Sequence, residues 1–237
     1  MLEALKEEVF RANARLVETG LVVLTWGNAS GFDRETGLVA IKPSGVDYST
    51  MTADDIVVVD LDGRVVEGRL RPSSDTPTHL ELYRNFAGVG GIVHTHSIEA
   101  TAWAQARREI PCYGTTHADT FRGPAPVTRP LTREEVETAY ELNTGKAIVE
   151  RFRSLDPLEA PGVLVAGHAP FTWGANVRAA VDNAVALEAI AKMARLTEQT
   201  AAARETAALE DFVAAKHYFR KHGGNAYYGQ VRTSGEK

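Results

Sequence analysis

Asp62-Gly63, lying between the apolar runs Ile56 to Asp60 and Arg64 to Glu67, constrains the fold of this chain more than any other local feature. The dipeptide supplies the backbone that a tight hairpin needs, and strands joined by so short a turn can only pair antiparallel. A sheet with hairpins, accompanied by amphipathic helices, is mixed or antiparallel and lies beneath those helices. The first helix is explicit: Leu2, Leu5, Val9, Ala12 and Leu16 recur at the helical period and stop at Gly20. Further strands are expected at Leu21 to Trp26, Leu38 to Lys42, near Tyr113 and near Val163. Helices are expected at Thr78 to Phe86, Glu99 to Arg107, Arg133 to Arg153, Asn176 to Leu196 and Thr206 to Lys221. This is an α/β pattern.

At 237 residues, 44% of them hydrophobic, the chain can bury a sizeable core, and the absence of a linker or low-complexity tract favours one domain. A net charge of -5 argues against duplex nucleic acid as partner. The single cysteine, Cys112, excludes an internal disulfide and a cysteine-rich zinc site. The start, Met1 to Glu8, reads as an acidic amphipathic helix rather than a signal peptide. No apolar stretch approaches the roughly 20 residues of a membrane span. A cytoplasmic location is expected.

His94-Thr95-His96 ends the apolar run Gly90-Gly91-Ile92-Val93, which reads as a buried strand running into a loop. Alternate strand residues share a face, so two imidazoles roughly 7 Å apart by strand rise can reach one ion from the same side. Zinc is the natural candidate. Two hydrogen-bonded histidines with no ligand role fit the same pattern. A reactive metal site usually takes three protein ligands from distant segments. His168 follows Val163-Leu164-Val165-Ala166-Gly167, and Asp75 sits in Pro72-Ser73-Ser74-Asp75-Thr76-Pro77. Each also has a purely structural explanation, Asp75 as a cap for the helix near Pro77 and His168 as a satisfied turn residue.

Three small polar turns, Trp26-Gly27-Asn28, Lys42-Pro43-Ser44-Gly45 and Ser73-Ser74, stand at element ends. Together their amides, hydroxyls and the Lys42 charge can cradle a phosphate, although any one of them is also ordinary turn composition. No nucleotide-type glycine fingerprint is present.

Thr25-Trp26-Gly27-Asn28, Lys42-Pro43-Ser44-Gly45, Ser73-Ser74-Asp75-Thr76-Pro77-Thr78-His79 and His94-Thr95-His96-Ser97 occur in that order. With Gly114-Thr115-Thr116-His117-Ala118-Asp119, Gly162 to Val165, His168, Lys216-His217-Tyr218 and Tyr227-Tyr228-Gly229-Gln230, the chain resembles the class II aldolase family along nearly its whole length. The Asp-Thr-Pro-Thr-His and Tyr-Tyr-Gly stretches are similar to its pentulose-phosphate 4-epimerase branch. The resemblance implies a central, mainly antiparallel β-sheet flanked by helices in one domain over 1–230; 231–237 extends past the family's usual end and, being polar with Gly and Ser, is expected to be a disordered tail. It implies one divalent metal per subunit, usually zinc, on Asp75, His94, His96 and His168. It further implies substrate and phosphate contacts at Gly27, Asn28, Ser44, Gly45, Ser73 and Ser74, with Lys42 as a nearby charge partner. Asp119 and Tyr228 match the acid and base residues. The implied assembly is a fourfold homotetramer whose active site lies at a subunit interface, with Tyr228 supplied by the neighbouring subunit.

The implied activity is the C4 epimerisation of L-ribulose 5-phosphate to D-xylulose 5-phosphate by retro-aldol cleavage, aldehyde rotation and re-addition. Two relatives of that branch are alternatives. An aldolase of a sugar 1-phosphate typically has Glu where this chain has Asp75, and the non-enzymatic adducin head should have lost the metal donors. The chain departs from the family at Gly167-His168-Ala169, where Ser-His-Gly is usual. Thr115, His117, Glu141 and His217 fall in or near matching motifs without an assigned role, and both arabinose use and ascorbate breakdown fit.

Overall fold

A computed structural model describes residues 2–202, 206–224 and 226–228. In chain order the elements are α1 (Glu3–Glu18), β1 (Asn28–Asp33), β2 (Leu38–Ile41), β3 (Val57–Asp60), β4 (Val65–Glu67), α2 (Thr76–Asn85) and β5 (Gly91–His94). They continue with α3 (Ile98–Gln105), α4 (Thr115–Ala118), α5 (Arg133–Arg151), β6 (Gly162–Leu164), β7 (Pro170–Gly174), α6 (Val177–Ala201) and α7 (Asp211–Lys221). The strands form one seven-stranded sheet in the order β4-β3-β2-β1-β5-β7-β6, antiparallel in every ladder. The Asp62-Gly63 turn joins β3 to β4 as expected, with Gly63 at φ 83°. Residues 231–237, expected to form a tail, lie outside the described residues, as do Gly229 and Gln230.

Both faces of the sheet are covered, which explains why most strands read as continuous apolar runs. Ala29, Ala40 and Val93 face α1 and the first half of α6, while Val39, Val57, Val59 and Ile92 pack with Leu80, Leu82, Tyr83 and Phe86 on the other side. The alternation of Ile92 and Val93 between the two clusters is the two-residue period of a strand.

Three glycines set how closely α6 approaches. Gly31, Gly91 and Gly174 are register partners across β1, β5 and β7. A Cβ on Gly91 would stand 2.5 Å from the backbone nitrogen of Val177, and one on Gly31 would stand 2.6 Å from Val177 Cγ2. The start of α6 therefore rests on bare backbone in the middle of the sheet, where no side chain fits.

The largest departure from the sequence reading lies just before β1. Leu21 to Trp26 is not a strand. The extended run is broken by left-handed backbone at Leu24 (φ 54°) and Gly27 (φ 90°), and the strand starts at Asn28. The sequence Asn-Ala-Ser-Gly-Phe-Asp lacks β-branched residues because α1 and α6 press on it. Val23, Leu24 and Trp26 are instead half exposed or more. No strand forms at Tyr113 either; the nearest pairing is a single bridge between Ile110 and Ala125. β7, Pro-Phe-Thr-Trp-Gly, was unforeseen, being short and bounded by the third glycine of the row.

α2 and the body of α5 lie together, with Gly145 set against Thr78 and Glu81. α5 is not continuous: Ala139 has φ -160° and ψ 72°, so the helix breaks there and restarts at Tyr140. Asn143 Nδ2 donates to the Glu135 carbonyl at 2.8 Å, occupying an acceptor that the break releases, and Thr78 Oγ1 donates to the Glu141 carbonyl at 2.6 Å, tying α2 to the restarted helix.

Candidate active site

β5 lies inside the sheet and delivers His94 at its last position, with His96 two residues beyond. β6 and its following turn bring His168 to the same place. The three ring centroids form a triangle with sides of 4.9, 4.9 and 5.0 Å. One nitrogen from each ring lies within 4.8 Å of the others, and His94 Nε2 is 3.1 Å from His96 Nε2. Zinc–nitrogen bonds of about 2.1 Å at a tetrahedral angle put nitrogens roughly 3.4 Å apart, which this cluster approaches.

The ring chemistry fits a cation. His94 Nδ1 lies 2.9 Å from the Pro170 carbonyl, and since a carbonyl only accepts, Nδ1 carries the proton and Nε2 presents a lone pair. Phe171 stacks against the other side of this ring at 4.2 Å. Burial, with the neighbouring imidazoles, pushes the pKa of His168 down to about 4, and burial with His94 lowers that of His96. Both are neutral donors at pH 7. The explanation of His168 as a satisfied turn residue fails, because its Nδ1 is buried with no partner among the described residues.

Asp75 precedes α2, yet its side chain makes no capping hydrogen bond. Its Oδ2 instead accepts from Asn28 Nδ2 at 2.7 Å. Burial alone would raise its carboxyl, but His94, His79, Asn28 and His168 outweigh that and hold it below the ordinary carboxylate range. It stands beside the three imidazoles as an anion, outside their tight cluster.

Asn28 is the register partner of His94. Gly27 is required next to it, since a Cβ there would be 2.8 Å from the His94 carbonyl. The turns 43–45 and 72–74 run side by side, tied by Ser44 N to Arg71 O at 2.9 Å and Ser73 N to Lys42 O at 3.0 Å. These two turns, Gly27, Asn28, Asp75 and the histidines all line one cleft of about 600 Å³. Lys42 also lines it, but its ammonium is buried, 2.8 Å from the Val46 carbonyl and 4.5 Å from the centre of the Tyr48 ring. It shapes the serine turn from behind, a role its sequence setting did not indicate.

Two nominated residues do not line this cleft. Asp119, at the end of α4, accepts from Arg220 Nη2 at 2.6 Å and pairs with Lys221 and His217, all on α7. Burial would raise its carboxyl, but these cationic and hydrogen-bond partners outweigh it and keep it ionised. Tyr228 packs over the same Arg220 and Lys221, at 4.9 and 4.5 Å. Asp119 and Tyr228 thus form a second constellation, built on α4 and α7. Conversely, Tyr140 and Glu141 line the cleft, with the Tyr140 ring 6.0 Å from that of His168. Tyr140 carried no signal in the sequence, because the break at Ala139 that aims it interrupts an otherwise unbroken helical pattern.

The model of the class II aldolase and adducin N-terminal domain matches residues 7–195. A protein of Salmonella paratyphi B, L-ribulose-5-phosphate 4-epimerase UlaF, is 56% identical over 97% of this chain and 100% of its own length. Among solved structures, an L-fuculose 1-phosphate aldolase superposes with a TM-score of 0.75 at 31% identity, covering 90% of this chain and 94% of that one. An L-fuculose 1-phosphate aldolase from Glaciozyma antarctica shares the fold at 17% identity and a TM-score of 0.75, covering 94% of this chain and 84% of the other. No helix among the described residues is long and apolar enough to cross a membrane.

Proposed function

This chain belongs to the class II aldolase and adducin family, and from that premise we propose that it is a metal-dependent L-ribulose-5-phosphate 4-epimerase. The observation that carries the reading is the convergence of His94, His96 and His168 beside the Asp75 carboxylate, in a cleft walled by two serine turns. His94, His96, His168 and Asp75 would hold a divalent cation, zinc by the chemistry of this donor set. Such a cation supplies Lewis acidity that stabilises an enediolate.

The substrate dictates the rest. In L-ribulose 5-phosphate, C4 is not adjacent to the carbonyl, so its proton is not acidic and its removal gains no resonance. Breaking C3–C4 does. A base takes the proton of the C4 hydroxyl, and the bond cleaves to glycolaldehyde phosphate and the enediolate of dihydroxyacetone. The aldehyde turns over, and re-addition from its other face gives D-xylulose 5-phosphate. The turns at Ser44-Gly45 and Ser73-Ser74 bind the phosphate and keep the fragment from leaving while it rotates. Asn28 has an amide oxygen that is buried without a partner among the described residues, suited to accept from a sugar hydroxyl.

Proton transfer on opposite faces of the aldehyde requires two groups, and Asp119 and Tyr228 are those we assign. The ionised Asp119 suits the base and the Tyr228 phenol the donor. Since both sit on the α4–α7 constellation, the complete site forms when a neighbouring subunit lays that constellation over the cleft. This extends to Asp119 the interface role expected of Tyr228 alone, and fits a fourfold homotetramer.

The solved aldolase relative makes aldol cleavage of a sugar 1-phosphate the second reading. Asp75, one carbon shorter than the glutamate typical of that branch, favours the epimerase. Incubation with L-ribulose 5-phosphate should yield D-xylulose 5-phosphate, whereas release of free dihydroxyacetone phosphate from L-fuculose 1-phosphate, with no epimerisation, would assign the chain to the aldolases. An arabinose or ascorbate route and a cytoplasmic location both fit the activity.

A further inference from the structure

His79 is completely buried on α2, behind the metal-site histidines, and the reaction described above does not use it. Its Nδ1 lies 2.7 Å from Ser30 Oγ, and the same hydroxyl lies 2.7 Å from the phenol oxygen of Tyr83. Two directions satisfy these distances: one puts the proton of His79 on Nδ1 and leaves the phenol proton unpaired among the described residues, the other puts it on Nε2. In the second direction the fully buried phenol donates to Ser30, its side-chain partner. Ser30 then donates its own proton to His79 Nδ1. A neutral imidazole has one proton, so that of His79 resides on Nε2, and burial keeps the ring neutral, with a pKa of about 3. Nε2 has no hydrogen-bond partner among the described residues, which leaves a buried donor aimed at nothing.

Asp75 is the carboxylate whose charge acts on this ring. It stands four residues earlier at the start of the same helix, where its carbonyl accepts from the His79 backbone N–H at 3.1 Å. Residues so spaced share a helix face. Of the two carboxylate oxygens, Asn28 holds Oδ2. Carboxylates that ligate metals are themselves held by outer hydrogen bonds, which orient them toward the ion.

We propose that His79 is a positioning residue for the metal site: its Nε2–H, unpartnered among the described residues, takes up the Asp75 carboxylate when the ion is held and fixes it as a ligand, and the Tyr83–Ser30 chain keeps the proton on that nitrogen. This gives the histidine of Asp75-Thr76-Pro77-Thr78-His79 a purpose that a core histidine lacks. It rests on the reading of Asp75 as a metal ligand.

Two measurements test it. Long-range proton–nitrogen NMR of the metal-free protein should show His79 protonated on Nε2 and bare on Nδ1; the opposite tautomer overturns the proposal. Zinc affinity, measured by competition with a chromophoric chelator, should fall about 10- to 100-fold in His79→Asn, whose amide ends near Nδ1. It should stay within about threefold of the unsubstituted protein in His79→Gln, whose amide nitrogen reaches the Nε2 position. The melting temperature of the metal-free variants separates this from packing. A role in packing alone lowers both melting temperatures and leaves zinc affinity unchanged, which overturns the proposal.

In an Asp75→Asn background the effect of His79→Asn on affinity should vanish, and an undiminished loss overturns it. If His79→Asn does not fold, Ser30→Ala loosens the proton lock and should weaken zinc binding by about three- to tenfold; an unchanged affinity overturns it. Unsubstituted protein that binds no zinc defeats the reading of Asp75 itself, whereas zinc bound equally by every variant defeats only the role of His79.

Discussion

Dividing the reactive groups between two subunits predicts that two inactive variants rescue one another. His96→Ala removes a metal donor from the cleft, and Asp119→Asn removes the base from the α4–α7 constellation, so each pure protein should be nearly inactive. In a mixed ring, a site is intact when its cleft comes from an Asp119→Asn subunit and its covering constellation comes from a His96→Ala neighbour. With equal amounts and random reassembly, each condition holds for half the sites, so about a quarter of full activity should return. The assay is epimerisation of L-ribulose 5-phosphate after the two proteins are dissociated together in mild denaturant and allowed to reassemble. Activity should rise and fall parabolically with the mixing ratio, peaking at equal proportions. The structural basis is that Asp119 bonds Arg220, His217 and Lys221, none of which lines the metal cleft. No recovery at any ratio, with mixed tetramers demonstrated by mass, would refute the divided site.

Other consequences are more local. Turnover in deuterated water should leave C4 of the product unlabelled, because its proton never leaves carbon; deuterium at C4 by mass spectrometry or NMR would rule out cleavage. Gly91→Ala places a methyl 2.5 Å from the Val177 backbone nitrogen and should destabilise the fold by about 1–3 kcal/mol or more in urea denaturation, whereas a neutral result would mean α6 can lift from the sheet. Stability should also drop on acidification. Burial depresses His117 and His168 to about 4, below the ordinary value near 6.5, so the unfolded chain binds protons that the folded chain refuses. Their stabilising effect is therefore complete above pH 6.5 and is lost as pH falls toward 4, by up to about 3 kcal/mol for buried His117. Equal denaturation midpoints at pH 7 and pH 4.5 would contradict this.

The parts of the molecule legible in the sequence are those where one local preference decides. The Asp62-Gly63 turn, the branched runs of β2 and β3, and the spacing of His94 and His96 depend on little else. β1 and β7 were hidden because glycine and alanine there answer to the closeness of α6, a tertiary demand that erases strand propensity. The apolar run at Leu21 to Leu24 misled for the complementary reason, since it forms a surface turn. Tyr140 was out of reach because a break at a single alanine re-aims it. Asp119 and Tyr228 were matched together as acid and base, but that both gather on the cations of α7 in one subunit could not be read, because residues about a hundred positions apart meet only through that helix.

The central claim is that four side chains, from the residue before α2, the end of β5 and the loop after it, and the β6–β7 turn, grip a catalytic cation, and removal of that cation tests it most directly. Purified protein, with zinc content and epimerase activity measured before chelation, after it and after zinc is restored, should lose and regain both in proportion, at about one ion per chain, while the same protein carrying His96→Ala regains neither. Full epimerase activity in protein stripped of all divalent metal would contradict the account.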